Sequence, residues 1–207
     1  LNGGIMFVLV ENDSITKTLS TSKGITIGEN QYPRSIYTLW SAAEREAIGI
    51  YEVVFDNTNK KDEAYYTNTN QSFAFAGGAV TASYGSATAK SLTDTLFTAQ
   101  DEIDGKGTEG EVAIKGLKTK HKETIKRQAS GLLTPTDWHV AKATEVESYS
   151  VPAEMTTYRA AVRTASNDME TLVDACTTVD ELATLYTYTE QEDGTTTRPL
   201  GEFPEAV

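Results

Sequence analysis

The local fold is most clearly specified by the stretch Ser72-Phe73-Ala74-Phe75-Ala76-Gly77-Gly78-Ala79-Val80-Thr81-Ala82-Ser83-Tyr84. A Gly-Gly pair separates two runs in which apolar residues alternate. The tight turn that joins two antiparallel strands needs positive φ, which glycine adopts without strain. A turn at this pair would place Phe75 opposite Val80 and Phe73 opposite Ala82 on one face. The stretch therefore predicts a β-hairpin.

The residues before this hairpin predict more short strands and one short helix. Residues 35–48 carry apolar side chains at helical spacing and are followed by Gly49, so we expect one helix there. Runs rich in β-branched and aromatic residues, bounded by turn residues or glycines, predict strands at residues 5–10, 15–19, 25–27 and 50–55. The sequence thus predicts a β-rich N-terminal domain over residues 1–89.

Residues 90–112 differ in character from the sequence on either side. They include the acidic run Asp101-Glu102-Ile103-Asp104, followed by glycines at 105, 107 and 110, and no core pattern is visible. We interpret this segment as a linker, in which Leu92, Leu96 and Phe97 could dock a short connecting helix.

Residues 113–188 have the periodicity of packed helices. Two sets of residues advance by three or four positions, which predicts a helical hairpin whose helices meet along these faces. The first set is Ile114, Leu117, His121, Ile125, Gln128 and Leu132; the second is Tyr158, Val162, Ala165, Met169, Leu172 and Cys176. Pro152 is a suitable start for the second helix, and Thr178 is a suitable cap for a third, short one. With an extended tail over residues 189–207, the predicted class is α+β.

A composite motif lies within this helical module. It consists of Leu132-Leu133, then Thr136-Asp137-Trp138, then Val151-Pro152, and finally Tyr158-Arg159-Ala160-Ala161-Val162-Arg163. This pattern resembles the C-terminal module of bacteriophage tail-fibre-associated proteins, often labelled tail assembly chaperones. The Pro-aromatic-Pro ending, Pro199 to Pro204, is similar to the endings of such proteins. The resemblance covers roughly the last hundred residues of the chain.

The resemblance implies a non-enzymatic phage tail component, made in the bacterial cytoplasm and carried in the virion tail. It would act at the fibre or baseplate as an adaptor or structural subunit, with other tail proteins as partners and self-association as a further expectation. The alternative is a tail-fibre assembly chaperone that is absent from the mature virion. A small hydrolase is a third, minor alternative, because catalytic residues can lie far apart in sequence.

Eight residues are predicted to form the packing or assembly surface of this part of the chain. They are Leu132, Trp138, Tyr158, Val162, Met169, Leu172, Leu200 and Phe203. Trp138 could anchor a partner, since tryptophan is enriched at interface hot spots. We favour a structural role in which its ring plugs the end of the hairpin against Leu132 and Tyr158, because aromatic rings bury large areas in small cores.

The composition argues against several classes of partner. The chain has 207 residues and a formal net charge of −12, whereas nucleic acids and anionic membranes attract basic surfaces. The one basic run, residues 115–127, lacks the interleaved aromatic residues of a nucleic-acid site. We interpret it as a solvated helix face, with an acidic partner, the acidic linker or a second copy as the alternative.

No residue pattern predicts a catalytic centre, a metal site or a cofactor. His121 falls on the apolar line of its helix and His139 stands beside Trp138, so both are expected to be structural. Cys176 is the single cysteine and is expected to be a small buried apolar residue.

The first residues suggest a translation start inside the given sequence. Gly3-Gly4 could be encoded by a ribosome-binding sequence that has been read in frame, so we expect translation to begin at Met6. The apolar run at residues 5–10 is too short for a membrane helix, and it lacks the flanks of a signal peptide.

Overall fold

A computed structural model describes residues 5–206, so Gly3 and Gly4 lie outside the described residues. The chain contains both helices and strands, which confirms the α+β class. It divides into two compact units, Leu1–Thr88 and Ala89–Val207.

The first unit is mostly strand. Its strands are β1 (Phe7–Glu11), β2 (Ser14–Leu19), β3 (Ile25–Ile27), β4 (Asn30–Tyr32), β5 (Ile50–Asp56), β6 (Tyr66–Thr67), β7 (Ser72–Ala76), β8 (Ala79–Ser83) and β9 (Thr88–Ala89). Strand β9 lies at the boundary between the units. The helices of this unit are α1 (Ile36–Leu39) and α2 (Ala42–Glu46). Five strands form one sheet in the order β2-β1-β5-β8-β7, while β3 pairs with β4 and β6 with β9. The edge strands β2 and β7 also contact each other, so the sheet is strongly curled.

Strand β1 is buried on both faces. Phe7 and Leu9 point into a cluster with Ile36, Tyr37 and other residues that cover one side of the sheet. The intervening residues point to the other side and pack with residues of β5 and β8, namely Val8 and Val10 with Val53, Val80 and Ala82. A curled sheet with cores on both sides explains why β1 is a continuous apolar run rather than an alternating one.

The predicted hairpin is confirmed. Strands β7 and β8 pair antiparallel with Phe75 opposite Val80 and Phe73 opposite Ala82. Gly77 and Gly78 have φ of 59° and 78°, as a primed two-residue turn requires. Strand β8 also pairs parallel with β5, which ties the hairpin into the sheet.

Replacing Gly77 with valine should weaken this hairpin. No atom lies within 4 Å of an added Cβ, so the cost is backbone strain alone. A side chain in the left-handed region costs about 1–2 kcal/mol, and a β-branched one is least tolerated. Hydrogen exchange of β7 and β8 should accelerate in Gly77→Val. Ala79→Val adds the same side chain two residues later, at an exposed strand position, and should leave hydrogen exchange unchanged. Equal exchange rates in the two variants would contradict the turn assignment.

The prediction of one helix over residues 35–48 is wrong in number, because two short helices form there. Helix α1 ends before Trp40, whose backbone is extended with ψ of 145°. Ser41 then starts α2 with a capping box, in which its hydroxyl accepts from the N–H of Glu44 and the carboxylate of Glu44 accepts from the N–H of Ser41. Gly49 follows α2 with φ of 81°, as the predicted closing glycine.

The second unit contains four strands and five helices among the described residues. They are β10 (Thr95–Leu96), α3 (Ala99–Ile103), β11 (Val112–Ile114), α4 (Leu117–Leu133), α5 (Asp137–Glu145), α6 (Ala153–Ala175), α7 (Val179–Leu185), β12 (Thr189–Glu190) and β13 (Thr196–Thr197). A turn of 3-10 helix, Thr134–Thr136, joins α4 to α5.

The prediction that residues 90–112 are a linker is wrong. Strand β10 pairs with β11, and α3 lies between them. Thr98 and Asp101 form a capping box at the start of α3, and these hydrogen bonds lower the pKa of Asp101 to about 2. The carboxylate of Asp94 also accepts the N–H of Gly116 at 2.7 Å. The acidic residues therefore serve as local hydrogen-bond acceptors that organise the segment.

The predicted helical hairpin is formed by α4 and α6, which pack against each other. Tyr158, Val162, Met169 and Cys176 are buried as predicted. Leu172 is 38% exposed, and Val173 is fully buried in its place. A helix has 3.6 residues per turn, so a strict 7-residue repeat drifts around its axis by about 20° per repeat, which moves the buried face onto Val173. Ile114 lies in β11 and not in the first helix.

The predicted third helix is confirmed, whereas the prediction of an extended tail over residues 189–207 is wrong. Thr178 and Glu181 form the capping box of α7. Strands β12 and β13 pair as a small hairpin after it. Beyond them Leu200 is only 4% exposed, and its N–H donates to the carbonyl of Leu185 at 3.0 Å. The apolar residues of the tail pack on the chain's own helices, because burial there removes them from water.

Leu200→Ala should consequently destabilise the second unit. Truncating a buried leucine costs about 2–5 kcal/mol, so we expect a loss of at least about 2 kcal/mol here. Denaturant unfolding of the full chain should show the loss in its second-unit transition. Glu205→Ala, at an exposed position of the same segment, is the matched control, and a Leu200→Ala protein as stable as this control would refute the packing.

Candidate interaction surface

The junction between α4 and α5 is held together by one arginine. Arg159 of α6 is only 7% exposed. Its guanidinium donates to the carbonyl of Leu133 at 2.9 Å, to the hydroxyl of Thr136, and to the carboxylate of Asp137 at 2.8 Å. The planar fork of an arginine suits several acceptors at once. Three separate parts of the sequence motif therefore meet at this side chain.

This arrangement joins the end of α4 to the start of α5. Two of the acceptors of Arg159 lie at the end of α4 and in the turn that follows. Asp137 is in the first turn of α5, where a carboxylate also interacts favourably with the helix dipole. Arg159 thus fixes where α5 begins and in which direction it leaves the hairpin.

Helix α5 and the loop after it display an aromatic surface, which we define as Trp138, His139, Lys142 and Tyr149. The rings of Trp138 and His139 stack with centroids 3.7 Å apart, and Nδ1 of His139 is hydrogen-bonded to the hydroxyl of Tyr149. The ammonium of Lys142 lies 4.4 Å from the centre of the Tyr149 ring and 5.8 Å from that of Trp138. These contacts hold the exposed ring of Trp138 against the half-buried rings of His139 and Tyr149.

The prediction that Trp138 plugs the end of the hairpin is wrong. Its side chain is 54% exposed, and the core cluster at that end contains Tyr158, Val162 and Phe203 instead. The physical reason is the inserted helix. Because α5 starts at Asp137, Trp138 falls on a helix that leads away from the core instead of on a turn that folds back over it.

Helix α5 buries none of its residues within the described chain. Val140, with 46% exposure, adds another exposed apolar side chain on this helix. Helices in proteins are usually stabilised by packing an apolar face, and a short isolated helix is marginal in water. Here the stabilising contacts are the ion pair of Arg159 with Asp137 at the start of the helix and the stacking of Trp138 on His139.

A shallow groove of about 530 Å³ lies beside the junction, between α4 and α6. Its charged lining residues are Lys126, Asp137, Arg159, Arg163 and Glu170. Opposite charges are paired across it, since Lys126 lies 3.2 Å from Glu170 and Arg159 binds Asp137. The groove therefore has little uncompensated charge with which to select an ion.

The basic run at residues 115–127 contacts the neighbouring helix. Lys122 lies 2.8 Å from the carboxylate of Asp174, and Lys118 donates to the Asp174 carbonyl at 2.9 Å. These contacts, with the Lys126 to Glu170 pair, join α4 to α6. The interpretation of a purely solvated face is corrected accordingly. Because much of the charge is matched inside the unit, the run offers less attraction to an external partner than the sequence suggested.

His121 is half-buried, and Cys176 is buried. The His121 ring lies 4.6 Å from that of Tyr186, and burial lowers the pKa of His121 below its ordinary value. Cys176 is buried, and burial, followed by the nearby Glu181, raises the pKa of its thiol. A raised pKa leaves less of the reactive thiolate at neutral pH.

The structure separates the eight predicted surface residues into two groups. Trp138 and Leu172 are exposed, and Leu172 lines a shallow apolar depression with Ala175 and Leu185. The others contribute to the core of the second unit: Tyr158, Val162, Met169 and Leu200 are buried, and Leu132 and Phe203 are partly buried against it.

Sequence reasoning missed Lys142 and Tyr149 as members of the aromatic surface. Lys142 lies four residues after Trp138 on the same helix, so the i, i+4 spacing was a signal that could have found it. The proximity of Tyr149 depends on the loop after α5 folding back, which no local spacing specifies. The role of Arg159 could have been predicted from the sequence. The residue follows Tyr158, a predicted core position, and a buried guanidinium needs several hydrogen-bond acceptors.

Among residues 5–206 there is no group of three or more histidine, cysteine, aspartate or glutamate residues arranged to hold a metal ion. Over the same residues, no helix is both long and apolar enough to span a membrane. No protein-family model, curated protein or solved structure matches the chain.

Proposed function

We propose that this protein is a non-enzymatic bacteriophage tail component, an adaptor or structural subunit at the fibre or baseplate that docks through the aromatic surface of α5. The observation that carries the proposal is that α5 buries none of its own residues while presenting Trp138 with 54% exposure. The resemblance of the motif to tail-fibre-associated proteins supplies the class of partner.

The energetics of α5 support a docking role. A helix of nine residues gains little from its own hydrogen bonds, so a partner that covers it would add the packing it lacks. Tryptophan is enriched among residues that dominate binding energy, and rings that are already ordered lose less entropy on binding. The stack of Trp138 on His139 and the hydrogen bond to Tyr149 provide that order.

Mass spectrometry of purified phage particles tests the assignment to the virion. We expect the chain in stoichiometric amounts with the fibre or baseplate proteins. Its presence only in unassembled complexes from infected cells would favour the assembly-chaperone alternative. Its absence from both fractions would contradict either role.

Trp138→Ala should weaken docking strongly without unfolding the protein. The side chain is largely exposed, so stability should change little, whereas loss of an interface hot spot costs at least about 2 kcal/mol, or about 30-fold in affinity. Binding to purified fibre and baseplate proteins measures the effect. Val112→Ala, at an exposed apolar residue of β11 in the same unit, should bind normally. Normal binding by Trp138→Ala would move the docking surface elsewhere.

A further inference from the structure

Helix α5 carries exposed apolar side chains on two sides. Successive residues of a helix are about 100° apart around its axis. The half-buried residues of α5 are His139 and Ala143, so this side of the helix faces the rest of the chain. Trp138 and Val140 flank His139 on either side, and they are 54% and 46% exposed. The exposed apolar side chains therefore do not form one stripe that a flat partner could cover.

The outermost part of α5 is narrow. Ala141 lies opposite the half-buried side of the helix and is exposed. A partner that contacts Trp138 and Val140 at the same time must pass over Ala141, whose single methyl group allows a close approach. The shape of the helix thus fits a cleft with two walls.

The C-terminal end of α5 is acidic. Glu145 is the last residue of the helix, and Glu147 follows in a turn that is closed by the N–H of Tyr149 donating to the carbonyl of Val146 at 2.9 Å. Both glutamates are exposed. In the part of the chain that the structure describes, neither carboxylate forms an ion pair. The ammonium of Lys142, which is three residues before Glu145, lies over the ring of Tyr149 instead.

These two carboxylates are unfavourable for the helix in the free chain. The C-terminal end of a helix carries a partial negative charge, so acidic groups there destabilise it. Helix α5 has only nine residues and is marginal on its own. A cation supplied by a partner at this end would reverse the sign, because it attracts both the carboxylates and the end of the helix dipole. Charge complementarity therefore favours a basic partner.

We propose that α5 binds as an inserted helix in a protein cleft with apolar walls for Trp138 and Val140 and with lysine or arginine side chains at its rim, beside Glu145 and Glu147. This inference rests on the proposed function, since it names the chemistry of the partner that docks on α5. A helix lying in an apolar groove is a recurring mode of recognition. An anionic membrane or a nucleic acid is a poorer match, because its phosphates would meet the two carboxylates.

Binding of the full chain to purified fibre and baseplate proteins over a range of NaCl concentrations tests the basic rim. Glu145→Gln combined with Glu147→Gln should weaken binding about 3- to 10-fold at low salt, because each exposed ion pair contributes little. The dissociation constant of this variant should also depend less on salt. Glu190→Gln combined with Glu192→Gln changes two exposed glutamates of the same spacing elsewhere in the second unit and should bind like the wild type. Equal affinities of the two double variants would overturn the proposal.

Hydrogen exchange of the free chain guards against misfolding as the cause. In the variant with Glu145→Gln and Glu147→Gln, α5 should be at least as protected as in the wild type, because an unfavourable interaction with the helix dipole is removed. Faster exchange of α5 in this variant would show that the carboxylates stabilise the free helix, and it would overturn the proposal.

Val140→Ala tests the second wall of the cleft. It should weaken binding about 5-fold or more, because burying the two lost methyl groups contributes to affinity. Unchanged binding by Val140→Ala together with weak binding by Trp138→Ala would overturn the cleft but leave the docking role of α5 in place. Normal binding by Trp138→Ala would instead contradict the proposed function itself.

Discussion

Replacing Val162 with aspartate should unfold the helical hairpin of the second unit while leaving the sheet of the first unit intact. Val162 is fully buried and packs with Ala129 and Tyr158 between α4 and α6. The variant removes an apolar contact and puts an unpaired carboxylate in its place, which should cost at least about 4 kcal/mol. Hydrogen exchange resolved by peptide should show α4 and α6 unprotected, with β1, β5 and β8 still protected.

The neighbouring residue provides the control for this experiment. Ala161 is exposed on the same helix, so Ala161→Asp introduces the same charge without burying it. Its cost should be only the difference in helix propensity, less than about 1 kcal/mol. If both variants retain protection in α6, the assignment of Val162 to the core between the helices is wrong.

Replacing Arg159 with alanine should destabilise the second unit by about 3 kcal/mol. The change removes the guanidinium from the Leu133 carbonyl and the Thr136 hydroxyl, which then keep only the hydrogen bond from that hydroxyl to that carbonyl at 2.7 Å. A hydrogen bond to a charged group contributes about 1.5–3 kcal/mol. Asp137 contributes less, because its side chain is 60% exposed and water can replace the arginine. The free energy of unfolding from denaturant titration measures the loss, and α5 should show faster hydrogen exchange in the folded protein.

Arg163 tests whether this effect is specific to the buried position. It lies one turn further along α6, is exposed, and its guanidinium donates to the Arg159 carbonyl at 3.4 Å. Arg163→Ala removes the same kind of side chain and should cost less than about 1 kcal/mol. Arg159→Lys should fall between the two, because lysine keeps the charge but lacks the planar fork. Equal losses in Arg159→Ala and Arg163→Ala would contradict the proposed junction.

The elements predicted correctly are those whose causes are local. Gly77-Gly78 specifies its turn through backbone freedom that only glycine has, and the alternation on either side fixes the register. Thr178 with Glu181 specifies the start of α7 through hydrogen bonds within one turn. The same chemistry was present at Thr98 with Asp101, where the acidic run was interpreted as a linker although it contains a helix cap.

The predictions that are wrong concern residues whose burial depends on segments distant in sequence. Leu172 and Val173 are adjacent in α6, and only the position of its packing partners decides which of them is buried. Leu200 and Phe203 could have remained solvated, but the α4 and α6 hairpin and the end of α7 provide a surface that buries them. Trp138 is exposed because α5 directs it away from that core.

By itself, the sequence determined the α+β class, the β7-β8 hairpin with its register, the helical nature of α4, α6 and α7, and the set of residues from which the core is drawn. Backbone preferences, capping and apolar periodicity act over a few residues, so these features can be read along the chain. The tertiary structure alone decided that Arg159 gathers Leu133, Thr136 and Asp137, and that Trp138 lies beside Tyr149 on an exposed helix. Those arrangements depend on which buried polar groups find partners across the fold, and that competition is settled only when all the segments are packed together.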